Sequence, residues 1–501
     1  LLGAGLVAAG VAVVPMVYLL ARVGERGWGR AGEILTRPST LRLTLRSLEL
    51  GLSVTAACVV LGVGLAWLVT NTDLPGRRIW QVALALPLAL PSYVAGWAWI
   101  GWRPELAGRT GAFAVLTLIS YPYVYLPALA ALRRCDPALA DVSRTAGNGA
   151  LATFVRVTLP QIRVAVIGGA LLVGLYVLSD FGAVATMRYQ VLTHAIFRAY
   201  RASFDRTTAA VLGAVLAVLA IVIVALVARV DRRALGHLAA RPPRPQPVTE
   251  LGWARWLAVL APIATLALAL GVPAIGLVSW SRRGDWTPDW STLGTAALHT
   301  LWVGALGALV VVVLGLPVAF LVVRHPGSVS HLAVGSAYAG HALPGVVVGL
   351  SMVFFGVRAV PGLYQRLPLL VLAYAVLYLS LGLGALTSAV GGVPRALEHV
   401  SRSLGHGPVA TWWAVTARLV LPGVGAAATL VFLTVMKELP ATLFLRPTGF
   451  DTLATRLWDE ASSLSRAQAV PYAVAIVVVA ALPAALLSIV GERRATRRGV
   501  S

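Results

Sequence analysis

The chain has 501 residues, 58% of them hydrophobic and 12% charged, with a mean hydropathy of +0.83. Soluble domains carry about 25% charged residues, so this balance excludes an ordinary soluble protein and points to a polytopic membrane protein. The formal charge of +22 is almost wholly arginine, Lys437 being the only lysine; arginines that flank apolar spans set topology and meet anionic lipid, so the expected partner is membrane lipid and not nucleic acid.

In chain order, apolar runs long enough to cross a bilayer at about 20 residues each predict helices over 1–20, 49–70, 80–102, 112–132, 164–185 and 209–230. A second set follows over 253–280, 295–323, 332–357, 367–389, 423–445 and 470–490. None alternates with the two-residue period of a membrane barrel. The run that opens at Leu1 reads as a span and not as a cleaved signal. Cys58 and Cys135 make neither a disulfide framework nor a metal spacing.

Between the two sets, Arg232, Arg233, Arg241 and Arg244 are interleaved with Pro242, Pro243, Pro245 and Pro247. Proline at that density stiffens and extends a chain, so 231–250 is a linker between a first half, 1–230, and a second half, 251–501. Six spans return the chain to its starting side. The halves are therefore expected to be parallel six-helix repeats of an all-α protein with about twelve transmembrane helices. The arginines of 133–163, of the linker and of the tail (Arg493, Arg494, Arg497, Arg498) put those segments in the cytoplasm. Loop 22–46 is also rich in arginine but falls on the opposite side, with Glu105, Asp205, Asp285, Asp289, Asp451, Asp459 and Glu460.

The halves share a motif. Val142-Ser143-Arg144 returns as Val400-Ser401-Arg402, Gly147 and Gly149 as Gly405 and Gly407, Ala152-Thr153 as Ala410-Thr411, and Val157-Thr158 as Val415-Thr416. All are separated by one offset, 400 − 142 = 258. A register held without a gap across a polar segment marks a duplicated unit. Within 136–160, Leu139, Val142 and Ala146, then Leu151, Phe154 and Val155, recur at helical spacing on either side of Gly147-Asn148-Gly149. This predicts two short helices joined by a glycine turn. Too polar to cross the bilayer, the pair needs another protein to bury its apolar stripe.

From Asp141-Val142-Ser143 through Gly147 to Leu159-Pro160, the spacing resembles the coupling loop of ABC-importer permeases. Lys437-Glu438-Leu439-Pro440-Ala441-Thr442, with Arg446-Pro447 and 450–456 beyond it and Ser179-Asp180-Phe181-Gly182 in the first half, resembles more narrowly the fused permeases of the ferric-iron importer family. The resemblance implies the type I ABC importer permease fold in a bacterial inner membrane, and a chain that is itself no enzyme. Homodimeric ATPase subunits would hold ATP and Mg²⁺ on the cytoplasmic side, this chain binding no cofactor or metal, and an extracytoplasmic substrate-binding protein would load it. It also implies that Asp141, Ser143, Gly147, Leu159 and Pro160, with Glu398, His399, Ser401 and Gly405 in the second copy, meet the ATPase. The second copy departs from the pattern, with His399 in place of Asp141 and Ala417-Arg418 in place of Leu159-Pro160. The firmness of its grip is left open.

The residues themselves agree that an engine must come from elsewhere. A P-loop needs a lysine after glycine-rich backbone, and Lys437 is followed by Glu438 in an apolar context. Ionisable groups at bilayer depth are costly, at roughly 2.5–3.5 kcal/mol on insertion scales, and so are functional candidates. Asp180 and Glu438, at matching places near the outer end of the fifth span of each half, either line the pathway or brace the structure, with Lys437 as a possible partner of Glu438. The repeat axis is expected to bring the two carboxylates together. Arg188 and Arg446 lie at the outer mouth and either anchor headgroups or steer an anionic substrate, anchoring being the more common role of arginine there. Pro91 and Pro344, each followed by a glycine (Gly96, Gly349), predict kinked third spans. His341 reads as a packing residue, and Trp97, Trp99, Trp102, Trp280 and Trp286 as an interfacial belt.

The function expected is import of ferric iron driven by ATP. Within the class the rivals are permeases for thiamine, polyamine or phosphonate. Outside it the rivals are an ATP-independent secondary transporter, which would not explain the repeated cytoplasmic hairpin, and a scaffolding membrane protein, which would not explain Asp180 and Glu438.

Overall fold

The computed structural model describes residues 2–25, 27–201, 205–235, 248–284, 289–463 and 466–480. Among them every extended element is helical, and the only pairing of strand type is a single parallel bridge between Thr72 and Thr249. Among the described residues nine helices are long and apolar enough to cross a membrane, and two bent pairs raise the number to eleven. The twelfth expected span, 470–490, is described only as far as the apolar helix Arg466–Ala480. Linker residues 236–247, the arginines of the tail, Asp285 and Trp286 lie outside the described residues.

The spans begin with Leu2–Gly24 (α1) and Pro38–Asn71 (α2). The third is not kinked but broken, Arg77–Ala89 meeting Ser92–Trp102 (α3) at 92°. The cause is local. A residue before proline is disfavoured in the helical region, and Leu90 is extended at φ −80° and ψ 121°, so the helix stops and restarts after Pro91. The second half repeats the device: Leu343, at φ −75° and ψ 125°, precedes Pro344, and Ser328–Ala342 meets Gly345–Arg358 at 107°.

Arg109–Leu132 (α4) leads to the short polar helix Pro137–Thr145 (α5). The predicted second short helix is not separate, because Ala150–Ser179 (α6) runs on from the glycine turn as the fifth span. After a break come Gly182–Thr186 (α7) and Arg206–Leu235 (α8). The second half continues with Ala254–Arg282 (α9), Trp290–Arg324 (α10), Ser328–Ala342 (α11), Gly345–Arg358 (α12), Leu367–Gly391 (α13), polar Arg395–Ser403 (α14), Pro408–Val435 (α15) and Pro440–Leu445 (α16).

The helices gather into two compact units that cross the expected boundaries at 230 and 251. One holds Leu1–Ile34, Ala199–Ala217 and Asp285–Ser501, the other Leu35–Arg198 and Val218–Gly284. The opening helix of each half has thus joined the spans of the other. In the first unit α1 lies on α11 and α12, where Ala8 and Ala12 are buried and the Tyr18 ring meets Phe355 edge-on at 5.2 Å. In the second, α9 lies on α3, the Trp280 ring stacked on Trp97 at 5.4 Å and its Nε1 donating to the Trp97 carbonyl at 3.0 Å. Small residues let helices approach closely, and in lipid that packing is what holds them together.

The stack corrects the expectation of an aromatic belt, since Trp97, Trp99 and Trp280 are buried between helices. Ion pairs account for part of the discordant arginine in loop 22–46. Arg22 is paired with Glu25, which also meets Arg358, and Arg30 with Glu33.

Candidate functional site

Each polar hairpin is assembled from the same parts. Helix α5 starts at Asp136, whose carboxylate accepts the Ala138 N–H at 3.1 Å, with Pro137 at the first position, where a missing N–H costs nothing. It ends at Gly147, in the left-handed region at φ +85°, and α14 ends likewise at Gly405, φ +87°. Only glycine takes that conformation without steric cost. Ser143 is buried with its Oγ 3.0 Å from Thr153 Oγ1, and Ser401 Oγ stands 3.2 Å from Thr411 Oγ1. The backbone closes both turns in the same way, Asn148 N–H donating to Ser143 O and His406 N–H to Ser401 O, each at 3.2 Å.

A π-helical turn follows in each copy, Phe154–Thr158 and Trp412–Thr416. Such turns are uncommon and often mark functional positions. Pro160 does not cause them, since the second copy has Ala417-Arg418 at that place. An aromatic pair seats each turn: Trp67 and Phe154 at 5.7 Å, Phe320 and Trp412 at 4.7 Å, the two ring types exchanged between copies. Sequence reasoning missed this pair, although Trp67 and Phe320 stand as far apart as Pro91 and Pro344.

The predicted residues divide by exposure. Asp141, Gly147, Pro160, His399 and Gly405 are exposed, Leu159 is half-buried, and the two serines are internal locks. Around them stand exposed Leu139, Val142 and Leu151 in the first copy and Leu397, Val400 and Leu404 in the second. Glu398 is not on that outer face. Its carboxylate receives Arg324 at 2.8 Å, inside the protein.

Asp180 and Glu438 sit at the breaks that follow α6 and α15. The Ser92 hydroxyl donates to Asp180 Oδ2, the Ala183 N–H to Oδ1 at 2.8 Å, and Thr193 to the Asp180 carbonyl at 2.7 Å. For Glu438 the donors are Tyr378 to Oε2 at 2.6 Å and the Ala441 N–H to Oε1 at 3.1 Å, with Thr442 on its carbonyl at 2.8 Å. Each carboxylate thus caps the short helix after its break. At the place of Ser92 the second half has Gly345, where a Cβ would stand 2.6 Å from Glu438 Oε1. Conversely Gly182, where a Cβ would meet Tyr93 at 2.7 Å, corresponds to Pro440. The bulk has changed sides across one contact, and the longer acid goes with the missing side chain. Asp180 and Glu438 belong to different compact units.

Arg446 is held by Asp451 and, at 2.9 Å, by Asp459. The matching first-half positions are Thr193 and Arg201, not acids, and Arg188 is exposed at φ +55°. Lys437 is half-buried beside Glu438. His341 Nδ1 lies 2.6 Å from the Leu377 carbonyl, a packing contact between α11 and α13. Among the described residues no three His, Cys, Asp or Glu side chains gather as metal ligands.

Residues 58–236 match the family model of the binding-protein-dependent transport system inner membrane component. The Fe(3+)-transport system permease protein FbpB 2 of Haemophilus influenzae is 33% identical over 479 residues, covering 95% of each chain. The sulfate transport system permease protein CysW of Escherichia coli K12 is 27% identical over 203 residues, which is 37% of this chain and 70% of the relative.

Proposed function

This chain belongs to the inner membrane components of binding-protein-dependent transport systems, multi-pass proteins of the bacterial inner membrane, and on that premise we propose that it is the translocation subunit of an ATP-driven importer of ferric iron. The observation that carries the reading is the duplicated hairpin, with the same serine–threonine lock, left-handed glycine and π turn in both copies and an exposed apolar face on each. An exposed apolar stripe on a rigid cytoplasmic helix is a handle for another protein. Two handles of one build suit the two subunits of a homodimeric ATPase, which would hold ATP and Mg²⁺ while this chain catalyses nothing. An extracytoplasmic binding protein would deliver the substrate.

Closing of the ATPase dimer on ATP would move the two handles and with them the spans they are rooted in, switching access from one side to the other. On this reading Asp180 and Glu438 act as braces that fix the broken third spans to the fifth, their oxygens being engaged by Ser92, Tyr378 and backbone. Ferric iron is preferred because the relative of that name matches almost the whole chain, whereas the sulfate relative matches little more than a third. The test is reconstitution of the permease with its ATPase and binding protein in proteoliposomes. Uptake of ferric iron that needs ATP and both partners is expected. Uptake without nucleotide, or of sulfate alone, would overturn the reading.

A further inference from the structure

The two hairpins share their parts but are fastened differently to the span beneath them. In the second copy the fastening is the Arg324–Glu398 ion pair, 2.8 Å long, with Arg324 also donating to the Val393 carbonyl at 3.0 Å and Thr416 to Glu398 at 3.3 Å. The side chains of Arg324 and Glu398 are only 12% and 16% exposed, so the pair is an internal joint and not a surface ornament. The first copy cannot make it. Asn71 stands where Arg324 does, 253 positions earlier, and Ala140 where Glu398 does, 258 earlier.

What occupies that place is the end of the linker and the residue that follows it. The Thr249 N–H donates to the Asn71 carbonyl at 2.7 Å, and the Asp73 N–H to the Thr249 carbonyl at 3.4 Å, the bridge that joins Thr72 to Thr249. Arg144, on coupling helix α5, donates to the Thr249 hydroxyl at 2.8 Å, and the Leu251 N–H to the Asp73 carboxylate at 2.9 Å. A cavity of about 20 Å³ remains at the joint, lined by Trp67, Asn71, Ala140, Arg144, Thr153 and Thr249. All these residues belong to one compact unit.

We propose that residues 248–251 are part of the first coupling apparatus, Thr249 and Arg144 acting as positioning residues that hold α5 on the end of α2 where the second copy uses Arg324 and Glu398. The linker is then more than a tether between halves. Its end is a splint, and displacement of that splint loosens one handle and not the other. The two ATPase contacts are thereby separately adjustable, one through a covalently attached strand and one through a charge pair.

The inference rests on the importer reading for its consequence but not for its geometry, and the test separates the two. The full chain with its ATPase subunits is placed in lipid nanodiscs, and amide hydrogen exchange is followed over 137–145 and 395–403. Thr249→Val and Arg144→Ala are each expected to speed exchange over 137–145 several-fold and to leave 395–403 unchanged, while Thr249→Ser keeps the wild-type rate. Adding Asn71→Arg and Ala140→Glu to Thr249→Val, which rebuilds the second copy's joint in the first, is expected to restore protection. In proteoliposomes the same loosening variants should raise the ATP hydrolysed per ferric ion carried. Unchanged exchange over 137–145 in both variants, or equal loosening over 395–403, would overturn the splint. Failure of the wild type to carry ferric iron would remove the importer reading and leave the exchange result standing.

Discussion

The Ser92 hydroxyl donates to the Asp180 carboxylate and so ties the second limb of the broken third span to the break that ends the fifth. Removing one partner of a buried hydrogen bond leaves the other unsatisfied, at a cost of roughly 1–3 kcal/mol. Ser92→Ala is therefore expected to lower the unfolding temperature of the purified permease. Asp180→Ala should lower it further, because it also strips the cap from the Ala183 N–H. A Ser92→Ala protein of unchanged thermal stability but lost uptake would identify Asp180 as a pathway residue instead of a brace.

The second half answers with a missing side chain. In Gly345→Ala the new methyl group would stand 2.6 Å from Glu438 Oε1 and 3.2 Å from the Pro440 ring. Loss of uptake and of folded protein in the membrane is the expected outcome. Shortening the acid by one methylene, Glu438→Asp, added to Gly345→Ala should recover a large share of both. No recovery in the double variant would show that the clash lies with Pro440 alone.

At Gly147 and Gly405 the obstacle is backbone conformation and not space, for nothing lies within 4 Å of where a Cβ would be. Alanine there carries a strain of about 1–2 kcal/mol, and asparagine less. Gly147→Ala is expected to fold and to transport more slowly. Gly147→Trp or Gly405→Trp, which adds bulk on the docking side, should let the ATPase turn over without uptake. Coupled transport at the wild-type rate in both tryptophan variants would remove the hairpins from the mechanism.

Helix α10 starts at Asp289, which accepts from the Ser291 and Thr292 hydroxyls and from both of their backbone N–H groups. Those bonds, the Ser291 hydroxyl foremost, hold its carboxyl down at about 2, below the ordinary 3.8. A carboxyl depressed in the folded state stabilises above its unfolded value and loses that effect as pH falls through the folded value. The difference in unfolding temperature between wild type and Asp289→Asn should be full at pH 6, shrink below about pH 4 and vanish near pH 2. A gap independent of pH would contradict the cap.

Much of this was legible in the sequence for a plain reason: the hairpins are polar islands between apolar spans, so their register shows through, and Ser143 with Thr153 and Ser401 with Thr411 stand out as repeated pairs. The prolines at 91 and 344 announced a disturbance, though a break near a right angle depends on what the chain meets next, here the short helices α7 and α16 seated against Gly96 and Gly349. What stayed hidden was which apolar faces meet protein and which meet lipid. Both surroundings are equally oily, so hydropathy alone does not show that Trp97 and Trp280 stack inside, nor that α1 leaves its own half. The pairing of Glu398 stayed hidden for a related reason, its partner Arg324 lying on a different span.

The exchange of opening helices sets an order for biogenesis. Helix α1 leaves the ribosome before every other described helix, yet its neighbours α11 and α12 begin only at Ser328. At roughly 5–20 residues per second of synthesis, it waits in the bilayer for a time on the order of tens of seconds before they arrive. The unit built on the earlier spans is likewise unfinished until α9, from beyond the linker, is inserted. Neither body is complete while only one half of the message has been translated.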